Sequence, residues 1–166
     1  MSEKSKQPSL FSASVKAEID KWIKRYPADQ KRSAVIPALH TVQRSNGGWL
    51  TTESMDAVAD YLEMPRIAVY EVGTFYSMFV HEPTGRHKIN VCTNVSCMLC
   101  GSDDVVLHLQ KRLGIKLGET TPDNKFTLRE VECLAACGGA PMMQVNRDYH
   151  EDLTPEKIDE ILDGFE

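Results

Sequence analysis

Five cysteines, Cys92, Cys97, Cys100, Cys133 and Cys137, all fall in the second half of this 166-residue chain, and they limit its fold more than any other feature. An odd number speaks against a disulfide framework. The first residues, MSEKSKQPSLFSAS, hold no apolar leader segment and no Arg-rich amphipathic stretch, so the chain reads as staying in a reducing compartment. Charge divides where the cysteines begin. Residues 1–86 carry 11 basic and 10 acidic side chains, a balance of +1; residues 87–166 carry 8 and 14, a balance of −6. The whole chain is at −5, which argues against a binder of nucleic acid or of an anionic membrane surface. No apolar run approaches the roughly 20 residues of a bilayer span, so no direct membrane insertion is expected.

Hydrophobic periodicity supports the same division and gives an α+β chain. Residues 1–12 are polar and aperiodic and read as a flexible tail. Residues 13–80 read as a small bundle of four helices. Val15, Ile19, Trp22, Ile23 and Tyr26 mark the first, which Pro27 ends. Ala34, Ala38, Leu39 and Val42 mark the second, over 30–45, with a kink expected at Pro37 and a stop at Asn46-Gly47-Gly48. Thr52 is read as the N-cap of the third, whose stripe is Met55, Val58, Ala59 and Leu62. Pro65 is read as the first residue of the fourth, running to Phe79, with Phe75, Tyr76 and Phe79 assigned to the bundle core. A turn-rich linker, residues 81–86, follows. In residues 87–166 the period changes to two: strands over 88–92, 126–131 and 142–146, a helix capped by Ser102, and a last helix capped by Thr154 with Leu153 and Ile158 as a hydrophobic staple. The order is β-α-β-β-α.

The cysteine spacing is Cys92-x4-Cys97 and, 35 residues later, Cys133-x3-Cys137. Cys92 and Cys133 each end a strand, and Cys97 and Cys137 lie in the loops that follow, so neighbouring strands would bring four thiolates together. Thiolates select zinc, copper(I) or iron–sulfur clusters. Structural zinc favours shorter knuckles, whereas a [2Fe–2S] core has two irons, each asking for two thiolates, which two separated pairs suit. The small residues Ala135, Ala136, Gly138 and Gly139 let backbone N–H groups approach sulfur. Rival readings use Cys100: a redox C-x-x-C at Cys97–Cys100, or a plant-type ferredoxin spacing through Cys92, Cys97 and Cys100. The first would leave Cys133 and Cys137 without a task. The second expects a mostly β protein. Cys100 is therefore read as a packed free thiol and not a ligand, with a zinc-stapled module and a thiol–disulfide protein kept as alternatives. His40, His81, His87, His108 and His150 show no ligand spacing and read as surface or hydrogen-bonded groups. No Gly-rich fingerprint for NAD or FMN is visible, and the chain alone is expected to bind neither.

Several segments together resemble the family of the 24 kDa subunit (the E subunit) in the peripheral arm of respiratory complex I, a thioredoxin-like [2Fe-2S] ferredoxin family. They are Ile36-Pro37-Ala38-Leu39, Val42-Gln43, Gly48-Trp49-Leu50, Thr74-Phe75-Tyr76-Ser77-Met78-Phe79, Gly85-Arg86-His87, Cys92-x4-Cys97, Gly118-Glu119-Thr120-Thr121, Val131-Glu132-Cys133-Leu134-Ala135-Ala136-Cys137 and Ala140-Pro141. The resemblance implies a helical bundle followed by a thioredoxin-like domain holding one [2Fe-2S] cluster on Cys92, Cys97, Cys133 and Cys137. It implies an electron-transfer subunit of NADH–quinone oxidoreductase, with no complete active site of its own. Its partners would be a flavoprotein subunit that binds NADH and FMN, and other peripheral-arm subunits. Its place would be peripheral on the cytoplasmic side of a bacterial inner membrane. Related subunits occur in NAD-reducing hydrogenases and NAD-linked formate dehydrogenases, which is the alternative parent complex. Pro141 precedes a strand as the cis-proline of thioredoxins does. In a module already at −6, an added electron is repelled, and a low potential is expected, plant-type four-cysteine clusters lying near about −400 mV.

Overall fold

A computed structural model describes residues 11–165. The backbone forms two compact units that divide between Pro83 and Thr84.

In the first unit, α1 (Ala13–Ile23) starts where the Ser12 hydroxyl accepts from the Val15 N–H at 3.3 Å. Phe11 is buried and its ring meets Tyr61 edge-on at 6.3 Å, so residues 11 and 12 belong to the fold; the rest of the expected tail lies outside the described residues. A 3-10 turn over Ala28–Ala34 precedes α2 (Val35–Ser45). Pro37 therefore stands in the first turn of α2, where its missing N–H costs nothing, and the expected kink is replaced by the change from 3-10 to α geometry just upstream. In α3 (Thr52–Leu62) the N-cap is Thr51, not Thr52, because Thr51 and Ser54 form a reciprocal capping box. Pro65 is the N-cap of α4 (Arg66–Phe75), and this helix stops at Phe75, short of the expected Phe79. That early stop divides the aromatic cluster. Phe79 is 3% exposed and joins the core of Ile19, Leu39, Val42, Leu50, Val58 and Leu62, whereas Phe75 is 79% exposed and Tyr76 is partly so. Gln43, buried on α2, ties down the chain beyond α4: its amide donates to the Met78 carbonyl at 3.1 Å and accepts from the Val80 N–H at 2.8 Å.

The second unit is a four-stranded sheet in the order β2-β1-β3-β4. β1 (His87–Cys92) lies parallel to β2 (Phe126–Val131) and antiparallel to β3 (Met143–Val145), which pairs with β4 (Asp148–His150). Parallel neighbours need a crossover, and here it holds two helices: a short α5 (Val95–Leu99) and α6 (Ser102–Leu113). α7 (Pro155–Asp163) follows β4 and begins at Thr154 as the spacing predicts. Relative to the sequence reading, α5 and β4 are additional elements, and α6 is capped by left-handed Gly101, with Ser102 one position inside. Five residues suffice for α5 because its donors are met at once, the Asn94 side chain accepting from the Val95 N–H at 2.8 Å. The core is Ile89, Val91, Leu128, Met143 and Val145 of the sheet against Val106 and Leu109 of α6 and Ile158 and Leu162 of α7. Leu153 and Ile158, the staple pair, are both buried in it. Asp159 joins the two helices, 3.0 Å from the His108 imidazole and 3.3 Å from the Arg112 guanidinium. No helix among the described residues is long and apolar enough to cross a membrane.

Candidate metal centre

The end of β1 sits between two neighbours, so whatever follows it is placed by the sheet. Cys92 is the last residue of β1, opposite Val131, and its N–H donates to the Met142 carbonyl at 3.2 Å. Cys97 projects from α5. Cys133 follows β2, and Cys137 opens a 3-10 turn, Cys137–Gly139, in the long loop that leads to β3. Cys92 and Cys97 are 4% and 2% exposed and pack with buried Met142 and partly buried Leu134, Ala136 and Ala140. Cys133 and Cys137 are exposed. The site has a buried half on β1 and α5 and an open half on the loop.

The two halves meet. Cys92 lies within hydrogen-bonding reach of the thiols of Cys97 and Cys133, and Cys97 lies close enough to feel the charges of Cys92 and Cys137. Burial disfavours ionisation of Cys92. It is outweighed by hydrogen bonds from the Asn94 and Leu134 backbone and from the two neighbouring thiols, which hold Cys92 below the ordinary thiol value. Cys97 is pushed up to about 11, first by burial, then by its hydrogen bond to Cys92 and by the nearby thiolate charges. The Ala135 N–H donates to the Cys133 sulfur at 3.3 Å. Among the described residues no three His, Cys, Asp or Glu side chains gather as ligands of a single ion would. The thiols stand instead as two adjoining pairs. The donor set is all sulfur, with N–H groups aimed at two of the four.

Several bonds hold the loop in this shape. Ala135 is left-handed, with φ 58°. The Tyr149 hydroxyl donates to the Leu134 carbonyl at 2.9 Å, the Asp152 N–H to the Gly139 carbonyl at 2.7 Å, and the Leu153 N–H to the Pro141 carbonyl at 3.0 Å. The Ala140–Pro141 bond is cis. Gly139 is required: a Cβ there would lie 2.5 Å from the Cβ of Glu151. Tyr149, Glu151, Asp152 and Leu153 were not singled out for the site by sequence, and only the unrecognised strand β4 could have drawn attention to them. Cys100 is exposed, not packed as expected, and its thiol takes no part in the set. The histidines lie apart from the site's thiols in varied settings: His81 bonds the Gly73 carbonyl at 2.9 Å and His87 stacks on Phe126 and Phe165.

Residues 19–166 match the family described as thioredoxin-like [2Fe-2S] ferredoxin. The chain belongs to that family. A relative among these thioredoxin-like ferredoxins, the E subunit of NADH-quinone oxidoreductase from Rickettsia felis, is 53% identical over 143 residues, covering 86% of each chain. The mitochondrial NADH dehydrogenase [ubiquinone] flavoprotein 2 of Dictyostelium discoideum is 44% identical over 156 residues, 94% of this chain and 63% of that protein. Among solved structures, an NAD+-reducing [NiFe]-hydrogenase in its H2-reduced state aligns over 78% of this chain and 21% of that one, with a TM-score of 0.67 and 20% identity. That last likeness is one of fold.

Proposed function

We propose that this ferredoxin holds one [2Fe-2S] cluster on Cys92, Cys97, Cys133 and Cys137 and serves as the one-electron subunit of an NADH–quinone oxidoreductase. The observation that carries the reading is the meeting of two buried and two exposed thiols, two pairs for two irons, with backbone N–H groups directed at Cys92 and Cys133. The relatives' names point to the same complex. In this reading the partner is a flavoprotein that binds NADH and carries FMN, and the assembly lies peripherally on the cytoplasmic side of the inner membrane.

When bound, a four-thiolate cluster of this kind takes up and releases one electron at a time. The chain's own part is electrostatic. Asn94, Leu134 and Ala135 direct backbone dipoles at sulfur and so favour negative charge there, while burial of Cys92 and Cys97 keeps water from one side. The unit's net acidity works the other way and holds the potential down. Cys133 and Cys137 leave the other side open at the surface, where an electron partner can approach.

The test is electron paramagnetic resonance on anaerobically purified protein before and after dithionite. A silent oxidised state and a spin-½ signal on reduction are expected. Cys137→Ser should abolish or alter that signal and Cys100→Ser should leave it unchanged. Absence of iron and of any signal in the wild type would overturn the reading.

A further inference from the structure

The Leu134 carbonyl and the Ala135 N–H belong to one peptide group, and both ends of it are held. The carbonyl accepts from the Tyr149 hydroxyl at 2.9 Å, and the N–H donates to the Cys133 sulfur at 3.3 Å. In a trans peptide these two groups point in opposite directions. Tyr149 therefore grips the group from one side while sulfur takes the other. The preceding N–H, that of Leu134, is directed at Cys92, so consecutive amides serve two sulfurs. Ala135 is left-handed, at φ 58°. Consecutive N–H groups beside a left-handed residue make a concavity suited to anions, an arrangement found at iron–sulfur sites. An alanine disfavours that conformation by about 1–2 kcal/mol, so something outside the loop must hold it there. The bond from β4 does so. Were the peptide to rotate, its carbonyl oxygen would face sulfur and oppose added charge.

We propose that Tyr149 is a positioning residue that locks the Leu134–Ala135 peptide with its N–H on the Cys133 sulfur and thereby raises the reduction potential of the centre. The inference rests on the cluster reading above. Hydrogen bonds to sulfur are among the levers on iron–sulfur potentials, because they stabilise the more negative, reduced form. Tyr149 touches no sulfur itself and acts wholly through the peptide. Its ring, 49% exposed, lies outside the hydrophobic core, so removal of the hydroxyl spares the fold.

The experiment is a redox titration followed by paramagnetic resonance on the intact chain, wild type against Tyr149→Phe. The variant should bind its electron about three- to tenfold less strongly, a tenfold loss being 59 mV for a one-electron couple. A second arm places 3-fluorotyrosine at 149 and works below neutral pH, where the phenol keeps its proton. Its stronger hydroxyl donor polarises the peptide further and should move the potential upward. Tyr26→Phe, in the helical unit, serves as the control and should change nothing. An unchanged midpoint in Tyr149→Phe, or a fluorotyrosine shift in the wrong direction, overturns the proposal while leaving the cluster reading intact. Failure of the wild type to give a reducible spin-½ centre overturns both. Should Tyr149→Phe fail to take up iron, the sign of the fluorotyrosine shift decides.

Discussion

Gln43 offers a prediction whose size follows directly from the structure. Its amide satisfies two backbone groups 35 and 37 residues away, accepting from the buried Val80 N–H and donating to the Met78 carbonyl. No other side chain of that length presents one acceptor and one donor side by side. Gln43→Leu keeps the volume and leaves both backbone groups unpaired, at about 1–3 kcal/mol each, so about 2–6 kcal/mol in all. Against the 5–15 kcal/mol typical of a domain this is a large fraction. Gln43→Glu separates the two groups: an ionised carboxylate can take the Val80 N–H but faces the Met78 carbonyl with its other oxygen. The protonated acid alone restores the donor, so the folded state raises this group's pKa. A raised folded value contributes stability below the unfolded value of about 4.3, and that contribution is lost as pH rises through the folded pKa. The gap between wild type and Gln43→Glu should therefore widen from acid to neutral pH, while the Gln43→Leu gap stays level. The assay is urea denaturation followed by tryptophan fluorescence. Trp22 and Trp49, the chain's two tryptophans, both belong to the helical unit, so the signal reports that unit alone. A Gln43→Leu loss below about 0.5 kcal/mol, or a pH-independent Gln43→Glu gap, would refute the reasoning.

In the second unit the buried Thr127 hydroxyl accepts from the Gly85 N–H at 2.7 Å and shares a bond with Thr120 at 2.7 Å. Thr127→Val should cost about 1–3 kcal/mol by stranding the Gly85 donor, more than Thr120→Val, with thermal melting followed by far-UV circular dichroism as the check. Tyr61 has its pKa raised to about 12, by burial first and then by its bond to Asp20. Its neutral form is the one the fold favours, so its contribution is whole below the unfolded value of about 10 and is lost as pH rises toward the folded one. The stability difference between wild type and Tyr61→Phe should shrink between those limits; a constant difference in alkaline denaturation series would contradict the assignment.

Local signals carried most of the elements. The turn pattern around 46–48, the Thr154 cap and the alternation over 126–131 depend on neighbours in the chain, and each stands in the structure where its residues predict. Errors arose where two local solutions compete. Thr51 and Thr52 can both cap, and only Ser54, reaching back to the Thr51 N–H at 2.9 Å, decides between them. The apolar run through Phe75 and Tyr76 continues a helical stripe on paper. Yet the chain leaves the helix at Phe75, and Gln43 from α2 holds the segment that follows.

The cysteine set divides the same way. Spacing alone paired Cys92 with Cys97 and Cys133 with Cys137, set Cys100 aside, and placed the acidic charge around them, because ligand type, gap length and composition are properties of the chain itself. Which N–H groups face the sulfurs, and what fixes them, is decided across the sheet. β4 is three residues long, too short to announce itself by alternation, and it brings Tyr149 onto a carbonyl 15 residues earlier in the chain. Hydrogen bonds between segments so far apart depend on register, and register exists only once the strands have paired.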